Sequence, residues 1–275
     1  FNIIGACYSS LGKTNNAAQS YEKAISLKPD YIDAIYNYGN TLRDLNRLEE
    51  SLSAFEQVIA LSPYHEGALH NLGASLQELN RINDAIDHYL QAKITSPNNI
   101  DIIINLGFLY QNLGQFDNAI HEYEDALKID SNNPMTINNI GACYREIGDS
   151  NKAVEYFKKL LEIDSNHFNS HYNLGFIYQD LGMVENAIAH YQQAIDINNH
   201  AMSFHNISHL KGYDSNHKDI IKMRSFLSHE SLDIEDQIHI NLGLANVNEK
   251  LGNKIEFFKY LNAGNRLQKE NLNYS

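Results

Sequence analysis

The stretch NLGFLY at residues 105–110 decides the fold, because it returns as NLGFIY at residues 173–178. The glycines of these two copies, Gly107 and Gly175, lie two periods of 34 residues apart. Glycines recur in this register at Gly5, Gly39, Gly73, Gly107, Gly141 and Gly175. A fixed period of this length predicts an array of stacked helical units, each of which buries its apolar face against its neighbours.

Two further positions repeat together with the glycine. Twelve positions after the glycine stands a small residue, at Ala17, Ser51, Ala85, Ala119, Ala153 and Ala187. Sixteen positions after it stands an aromatic residue, at Tyr21, Phe55, Tyr89, Tyr123, Phe157 and Tyr191. Small residues allow two antiparallel helices to approach closely. We expect the aromatic side chain to fill the space between one hairpin and the next.

Each unit also contains a predicted turn between its two helices. Glycine follows an aliphatic residue there in four units, at Gly12, Gly114, Gly148 and Gly182. Asn46 and Asn80 occupy the same position in two others. Glycine and asparagine both tolerate the left-handed backbone conformation that ends many helices, so we expect it at these residues.

These residues resemble the tetratricopeptide repeat family. The first unit matches the family pattern with Gly5, Tyr8, Ala17, Tyr21 and Pro29. The resemblance implies an all-α fold, a right-handed α-solenoid of stacked antiparallel helix hairpins. Six units are predicted, at residues 1–31, 32–65, 66–99, 100–133, 134–167 and 168–201. Phe1 falls at the fourth position of its repeat, so the first unit is interpreted as N-terminally truncated and the chain as a fragment.

Residues 202–275 are predicted to be a degenerate, helical extension of the array. Asn206-Ile207-Ser208 and Asn241-Leu242-Gly243 are spaced like worn repeat starts. Residues 212–216 combine glycine, aspartate, serine and asparagine, which predicts a loop. Residues 257–267 predict a terminal helix.

A row of asparagines points to function. The position two residues before the repeat glycine, predicted to face the concave side, holds Asn37, Asn71, Asn105, Asn139 and Asn173, and the row continues with Asn206 and Asn241. An amide both donates and accepts, so such a row can hold the backbone of an extended peptide. It resembles the asparagine ladder of the O-GlcNAc transferase superhelix, although Ile3 occupies the position in the first unit. Alternatively, the amides bond only neighbouring hairpins or water.

Other polar and aromatic residues are predicted to line the same groove. They are Tyr36, Asn40, Arg43, Asp44, His70, Gln77, Gln111, Arg145, Tyr172 and Gln179. Curved repeat arrays present binding surfaces of this kind, so a protein or an extended peptide is the predicted partner. The alternative is an inner helix face that is only solvated.

The charge distribution narrows the class of binding partner that we expect. The formal net charge is −13, and residues 1–200 hold 12 Lys and Arg against 25 Asp and Glu. Such a surface repels phosphate backbones and anionic lipid, which favours neutral or basic peptides over nucleic acid or membrane. The two cysteines, Cys7 and Cys143, are predicted to be free and buried, which indicates a reducing, cytoplasmic environment. The oligomeric state stays open.

No catalytic residue, metal site or cofactor is predicted. Residues 9–14 end like a phosphate-binding loop, but Cys7 replaces its first glycine and no strand precedes it. His205 and His209 have metal-ligand spacing, but no Cys joins them and no Glu follows the first His, so they are interpreted as surface histidines. The chain is therefore predicted to bind rather than to catalyse.

The C-terminal part carries a second resemblance. The segments 203–211 and 238–245, followed by Gly264-Asn265-Arg266-Leu267, are similar to the linker of bacterial proteins that join a tetratricopeptide array to a sulfotransferase domain. This resemblance implies that the chain is the substrate-recruiting arm of a larger transferase. The alternative is a free-standing interaction scaffold.

Overall fold

A computed structural model describes residues 1–228 and 232–273. Over these residues the chain forms sixteen α-helices and no β-strand. The all-α prediction is therefore confirmed for the described chain. The chain divides into two compact units, residues 1–136 and 137–275.

Unit 1 consists of four helix hairpins and the first residues of a ninth helix. The hairpins are α1 (Asn2–Ser10) with α2 (Thr14–Leu27), α3 (Ile32–Asp44) with α4 (Leu48–Leu61), α5 (Glu66–Glu78) with α6 (Ile82–Thr95), and α7 (Ile100–Asn112) with α8 (Phe116–Ile129). The two helices of each hairpin pack on each other, and each second helix packs on the next first helix. A continuous apolar core results, to which every hairpin contributes.

Unit 2 starts within α9 (Pro134–Ile147) and contains seven further helices. These are α10 (Ser150–Ile163), α11 (Phe168–Asp180), α12 (Val184–Asn198), α13 (Ala201–Leu210), α14 (Lys218–Leu227), α15 (Ile234–Lys250) and α16 (Lys254–Asn273). The loop predicted at residues 212–216 is confirmed between α13 and α14. The predicted terminal helix is also confirmed, and α16 is longer than residues 257–267.

The predicted left-handed turns are present. The φ angles are +69° at Gly12, +70° at Gly114, +88° at Gly148 and +71° at Gly182. Asn46 and Asn80 take the same conformation, with φ angles of +57° and +58°. Gly252 has a φ of +71° between α15 and α16, so the degenerate region uses the same turn.

The repeat glycine makes room for an aromatic ring rather than for the helix backbone. A Cβ atom at Gly107 would lie 2.7 Å from Cε1 of Tyr123, which is fully buried. Gly73 and Tyr89 have the same relation. The prediction that the aromatic residue fills the space between one hairpin and the next was thus incomplete, because its ring also covers the glycine of its own hairpin.

The prediction that both cysteines are buried is wrong for Cys7. Cys143 is buried, and burial raises the pKa of its thiol to about 12, whereas Cys7 is exposed. The reason is local: α1 packs against α2 and α3, whereas α3 also packs against α4 and α5 and so lies between two hairpins.

Three of the first helices, α5, α7 and α11, carry side-chain caps that sequence analysis missed. Asn99 Oδ1 accepts hydrogen bonds from the backbone N–H groups of Asp101 and Ile102. In the same position of other repeats, the Nδ1 atoms of His65 and His167 accept from the N–H groups three residues later. Satisfying these free N–H groups stabilises the start of a helix. The missed signal was the recurrence of His or Asn eight residues before the glycine.

We predict that Gly107→Ala destabilises the protein by about 1–3 kcal/mol. The added methyl group would press on Tyr123, whose buried ring has no space to move away. Thermal unfolding followed by circular dichroism measures the effect. Gly212→Ala is the control, because no atom lies within 4 Å of a Cβ at Gly212. Equal melting temperatures for the two variants would contradict the proposed packing.

Candidate functional site

In unit 1 the predicted asparagines each donate a hydrogen bond to a polar group of the preceding hairpin. Asn71 Nδ2 donates to Asn40 Oδ1 at 2.7 Å and to the hydroxyl of Tyr36 at 3.2 Å, which links two consecutive hairpins. Asn37 Nδ2 donates to Asn2 Oδ1 at 3.3 Å. Asn105 Nδ2 donates to the hydroxyl of Tyr89 at 3.4 Å. We call the surface that carries Asn37, Asn71 and Asn105 the amide face.

The amides of this face keep unused bonding capacity. Among the described residues, no side chain or backbone group donates to the Oδ1 atoms of Asn37, Asn71 or Asn105. All three residues are half-buried, so their amides are partly accessible to solvent. The accepting oxygen of each amide therefore stays available to an external partner. Asn37 and Asn105 also keep one free N–H hydrogen, whereas Asn71 uses both of its hydrogens on Tyr36 and Asn40.

Several predicted groove residues flank the amide face. Arg43 and Glu78 form an ion pair across two hairpins, with an NH2–Oε1 distance of 3.0 Å. Tyr36 packs on His65, with ring centroids 4.9 Å apart, and His70 packs edge-on against Tyr89 at 5.8 Å. Further along unit 1, Gln111 Oε1 accepts from the hydroxyl of Tyr123. Gln77 is half-buried, and Asp44 is exposed.

Sequence analysis missed one aromatic residue at this surface. Phe108 lies three residues after Asn105 on α7, and 41% of its surface is exposed. Residues three apart on a helix share one face. The position directly after the repeat glycine holds Asn40, Ala74 and Phe108 in successive units. This variation was the signal in the sequence that could have identified Phe108.

In unit 2 the predicted asparagines differ from those of unit 1 in their burial and in their hydrogen-bond partners. Asn173 is buried, and its Oδ1 accepts from an NH1 hydrogen of Arg145 at 2.5 Å. Asn241 is also buried and donates to the backbone carbonyl of Gln237 on its own helix. Asn206 Nδ2 donates to the hydroxyl of Tyr191 at 3.2 Å. Asn139 is half-buried beside Asn138, whose Nδ2 lies 3.5 Å from its Oδ1.

The remaining predicted residues of unit 2 also have protein partners. Tyr172 packs edge-on against His200 at 4.7 Å, and its hydroxyl lies 3.1 Å from the sulfur of Met202. Gln179 Oε1 accepts from the hydroxyl of Tyr191. Arg145 lies over the ring of Phe176 at 5.8 Å. These contacts order the side chains, so less entropy is lost when a partner binds them.

The aromatic residue of one hairpin influences how the next asparagine is bonded. Tyr89 and Tyr191 offer hydroxyls, which Asn105 and Asn206 use. Phe55 has no hydroxyl, and Asn71 in the following hairpin bonds Tyr36 and Asn40 instead. Burial raises the pKa of Tyr89 to about 12, so its hydroxyl is protonated at neutral pH.

The geometry can now be compared with known proteins. Profiles described as tetratricopeptide repeat match residues 32–65, 99–166 and 168–200, and one described as TPR repeat matches residues 5–42. The chain carries tetratricopeptide repeats. Comparison with curated proteins gives no match.

Several solved structures resemble the chain in fold. A crystal structure of MamA is 26% identical, with a TM-score of 0.56, covering 58% of this chain and 93% of that chain. YrrB, described as a TPR protein with an unusual peptide-binding site, is 24% identical with a TM-score of 0.59, covering 68% and 96%. PilF of Pseudomonas aeruginosa is 17% identical with a TM-score of 0.60, covering 75% and 94%. The predicted all-α tetratricopeptide solenoid is thereby confirmed.

Two further observations concern metals and membranes. Within residues 1–228 and 232–273, no three His, Cys, Asp or Glu side chains are grouped so as to hold a metal ion. Over the same part of the chain, none of the helices combines the length and the apolar character that crossing a bilayer requires.

We predict that Tyr89→Phe lowers the free energy of unfolding by about 1 kcal/mol, because Asn105 loses its hydroxyl partner. Packing should be retained, since phenylalanine occupies the equivalent position at Phe55 and Phe157. Urea denaturation measures the change. Tyr64→Phe, which removes a hydroxyl from a side chain that is 76% exposed, is the matched control. If both variants unfold at the same urea concentration, the Tyr89–Asn105 bond contributes no stability.

Proposed function

We propose that the chain is a binding scaffold that holds an extended polypeptide on the amide face of unit 1. The observation that carries this proposal is the set of accessible Oδ1 atoms on Asn37, Asn71 and Asn105, which no group among the described residues uses. Each amide can accept from a peptide N–H, and Asn37 and Asn105 can also donate their second hydrogen to a peptide carbonyl. Contacts of this kind read the backbone, so they tolerate many sequences.

Side chains of the bound segment would meet a mixed surface. Phe108 offers an exposed ring next to Asn105, and the Arg43–Glu78 pair offers both charges. Residues 1–136 hold 8 Lys and Arg against 17 Asp and Glu, so their field attracts a neutral or basic segment more than an acidic one. The same field disfavours nucleic acid and anionic membrane as partners. YrrB shows that a protein of this fold can have a peptide-binding site.

In unit 2 only part of the predicted row suits this role. Asn206 keeps a half-buried amide, whereas Asn173 and Asn241 are buried and bonded to protein groups. We therefore assign peptide binding first to Asn37, Asn71 and Asn105.

We predict that the double variant Asn71→Ala, Asn105→Ala weakens peptide binding at least about tenfold, an energy of about 1.4 kcal/mol. The probe is a twelve-residue peptide selected on the wild-type protein from a random displayed library, and calorimetry measures its affinity. Asn83→Ala, on an exposed position of the second helix α6, is the control. Retention of wild-type affinity by the double variant, with its helicity intact, would refute the proposal.

A more specific candidate is that the scaffold is the substrate-recruiting arm of a larger transferase, a sulfotransferase by the resemblance of the tail. The pattern of residues 203–211, 238–245 and 264–267 favours it over a free-standing cytoplasmic scaffold. We predict that the transcript continues beyond the codon for Ser275 into a strand–loop–helix phosphate site. A stop codon shortly after Ser275 would instead support the free-standing scaffold.

A further inference from the structure

We propose that a cavity between α2, α3 and α4 binds a basic side chain, lysine or arginine, of a partner protein. This cavity uses none of the residues of the amide face. The inference therefore stands or falls independently of the proposed peptide groove.

The cavity has a volume of about 460 Å³ and combines an apolar floor with an acidic rim. Ile25, Ile35 and Ala54 supply apolar surface, and Ile35 and Ala54 belong to the buried core. Glu22 and Glu50 bring two carboxylates from adjacent second helices. All of these residues lie within unit 1.

Tyr38 sets this site apart from the other repeats. The residue directly before the repeat glycine is aliphatic in the other five units, at Ile4, Leu72, Leu106, Ile140 and Leu174. Tyr38 replaces it with a half-buried phenol that lines the cavity. A repeat array needs only an apolar residue at this position, so the hydroxyl is an addition that hairpin packing does not require.

The hydroxyl of Tyr38 positions one carboxylate. It donates to Glu22 Oε1 at 2.5 Å, and burial together with this bond raises the pKa of Tyr38 to about 12. No group among the described residues donates to the second oxygen, Glu22 Oε2. Glu22 is thus held in place while one of its charged oxygens stays available at the rim.

Glu50 completes the acidic rim. Its carboxylate pairs with Arg47 three residues earlier, with a shortest distance of 2.5 Å, and both side chains are substantially exposed. Arg47 donates to both carboxylate oxygens of Glu50, so an incoming cation reaches Glu50 only by displacing Arg47 or by sharing this carboxylate with it. The rim therefore offers an incoming positive charge the unused oxygen of Glu22 first, with the negative charge of Glu50 beside it.

A lysine or arginine side chain matches both parts of this cavity. Its aliphatic stem can cover the apolar floor while its charged end reaches the rim, which is how these residues commonly bury their stems. Its N–H groups find an acceptor in Glu22 Oε2, and a charge-assisted hydrogen bond of this kind is stronger than a neutral one. An acidic side chain would be repelled, and an apolar one would leave Glu22 Oε2 without a donor.

The test is a titration of the ¹⁵N-labelled protein with acetyl-Gly-Lys-Gly-amide, followed by NMR. We expect saturable shifts of the backbone amides of Tyr38 and Ala54. Glu22→Gln should weaken binding at least about tenfold, because it removes the positioned charge. Tyr38→Leu restores the residue type of the other repeats and should also weaken binding, because Glu22 loses its tether. Glu56→Gln is the matched control, since Glu56 occupies the position of Glu22 one repeat later and lies outside the cavity.

A second peptide isolates the charge. Acetyl-Gly-norleucine-Gly-amide keeps the lysine stem without the ammonium group, and we expect its binding to be at least about tenfold weaker. Equal binding of the two peptides would overturn the proposal, as would unchanged binding to Glu22→Gln. Shifts confined to Asn71 and Asn105 would also overturn it, because they would assign the basic peptide to the amide face. If no backbone amide shows a saturable shift, the proposal is also overturned.

Discussion

Each repeat depends on the contact between a glycine on the first helix and an aromatic ring on the second. At Gly73 and Gly107 the ring of the same hairpin occupies the space that a Cβ atom would need. Protein interiors are close-packed, so this fit keeps the two helices of the hairpin close together. The ring is then held at the interface with the next hairpin, where Tyr89 reaches Asn105 through its hydroxyl.

That second contact links packing to the candidate site. At Tyr89 and Tyr191 the hydroxyl of the ring accepts from the following asparagine, whose amide oxygen stays unused. Where it is Phe55, the asparagine bonds other polar residues instead. In both cases the amide oxygen of the asparagine stays available. The aromatic residue thus stabilises the hairpin and also orders the amide that we propose binds a peptide.

The two proposed binding surfaces of unit 1 have different physical characters. The amide face offers neutral donors and acceptors, which suit a peptide backbone. The cavity beside Tyr38 offers a fixed carboxylate above apolar side chains, which suits a single basic side chain. A repeat array can carry both because its hairpins are built alike, and a substitution such as Tyr38 changes one hairpin without altering its neighbours' packing.

The sequence by itself determined the helices, the turns and the repeat length. The period of 34 residues and the left-handed turns at residues such as Gly114 and Asn80 are local properties of the chain. Tertiary structure alone decided which polar side chains are accessible. Asn71 and Asn173 occupy the same repeat position, yet Asn71 is half-buried with an unused oxygen, whereas Asn173 is buried against Arg145. Neither the exposure of Cys7 nor the cavity beside Tyr38 could be predicted from the sequence. Burial and bonding depend on which side chains the neighbouring hairpins bring into contact, and residues 28–35 positions apart in the sequence make those contacts.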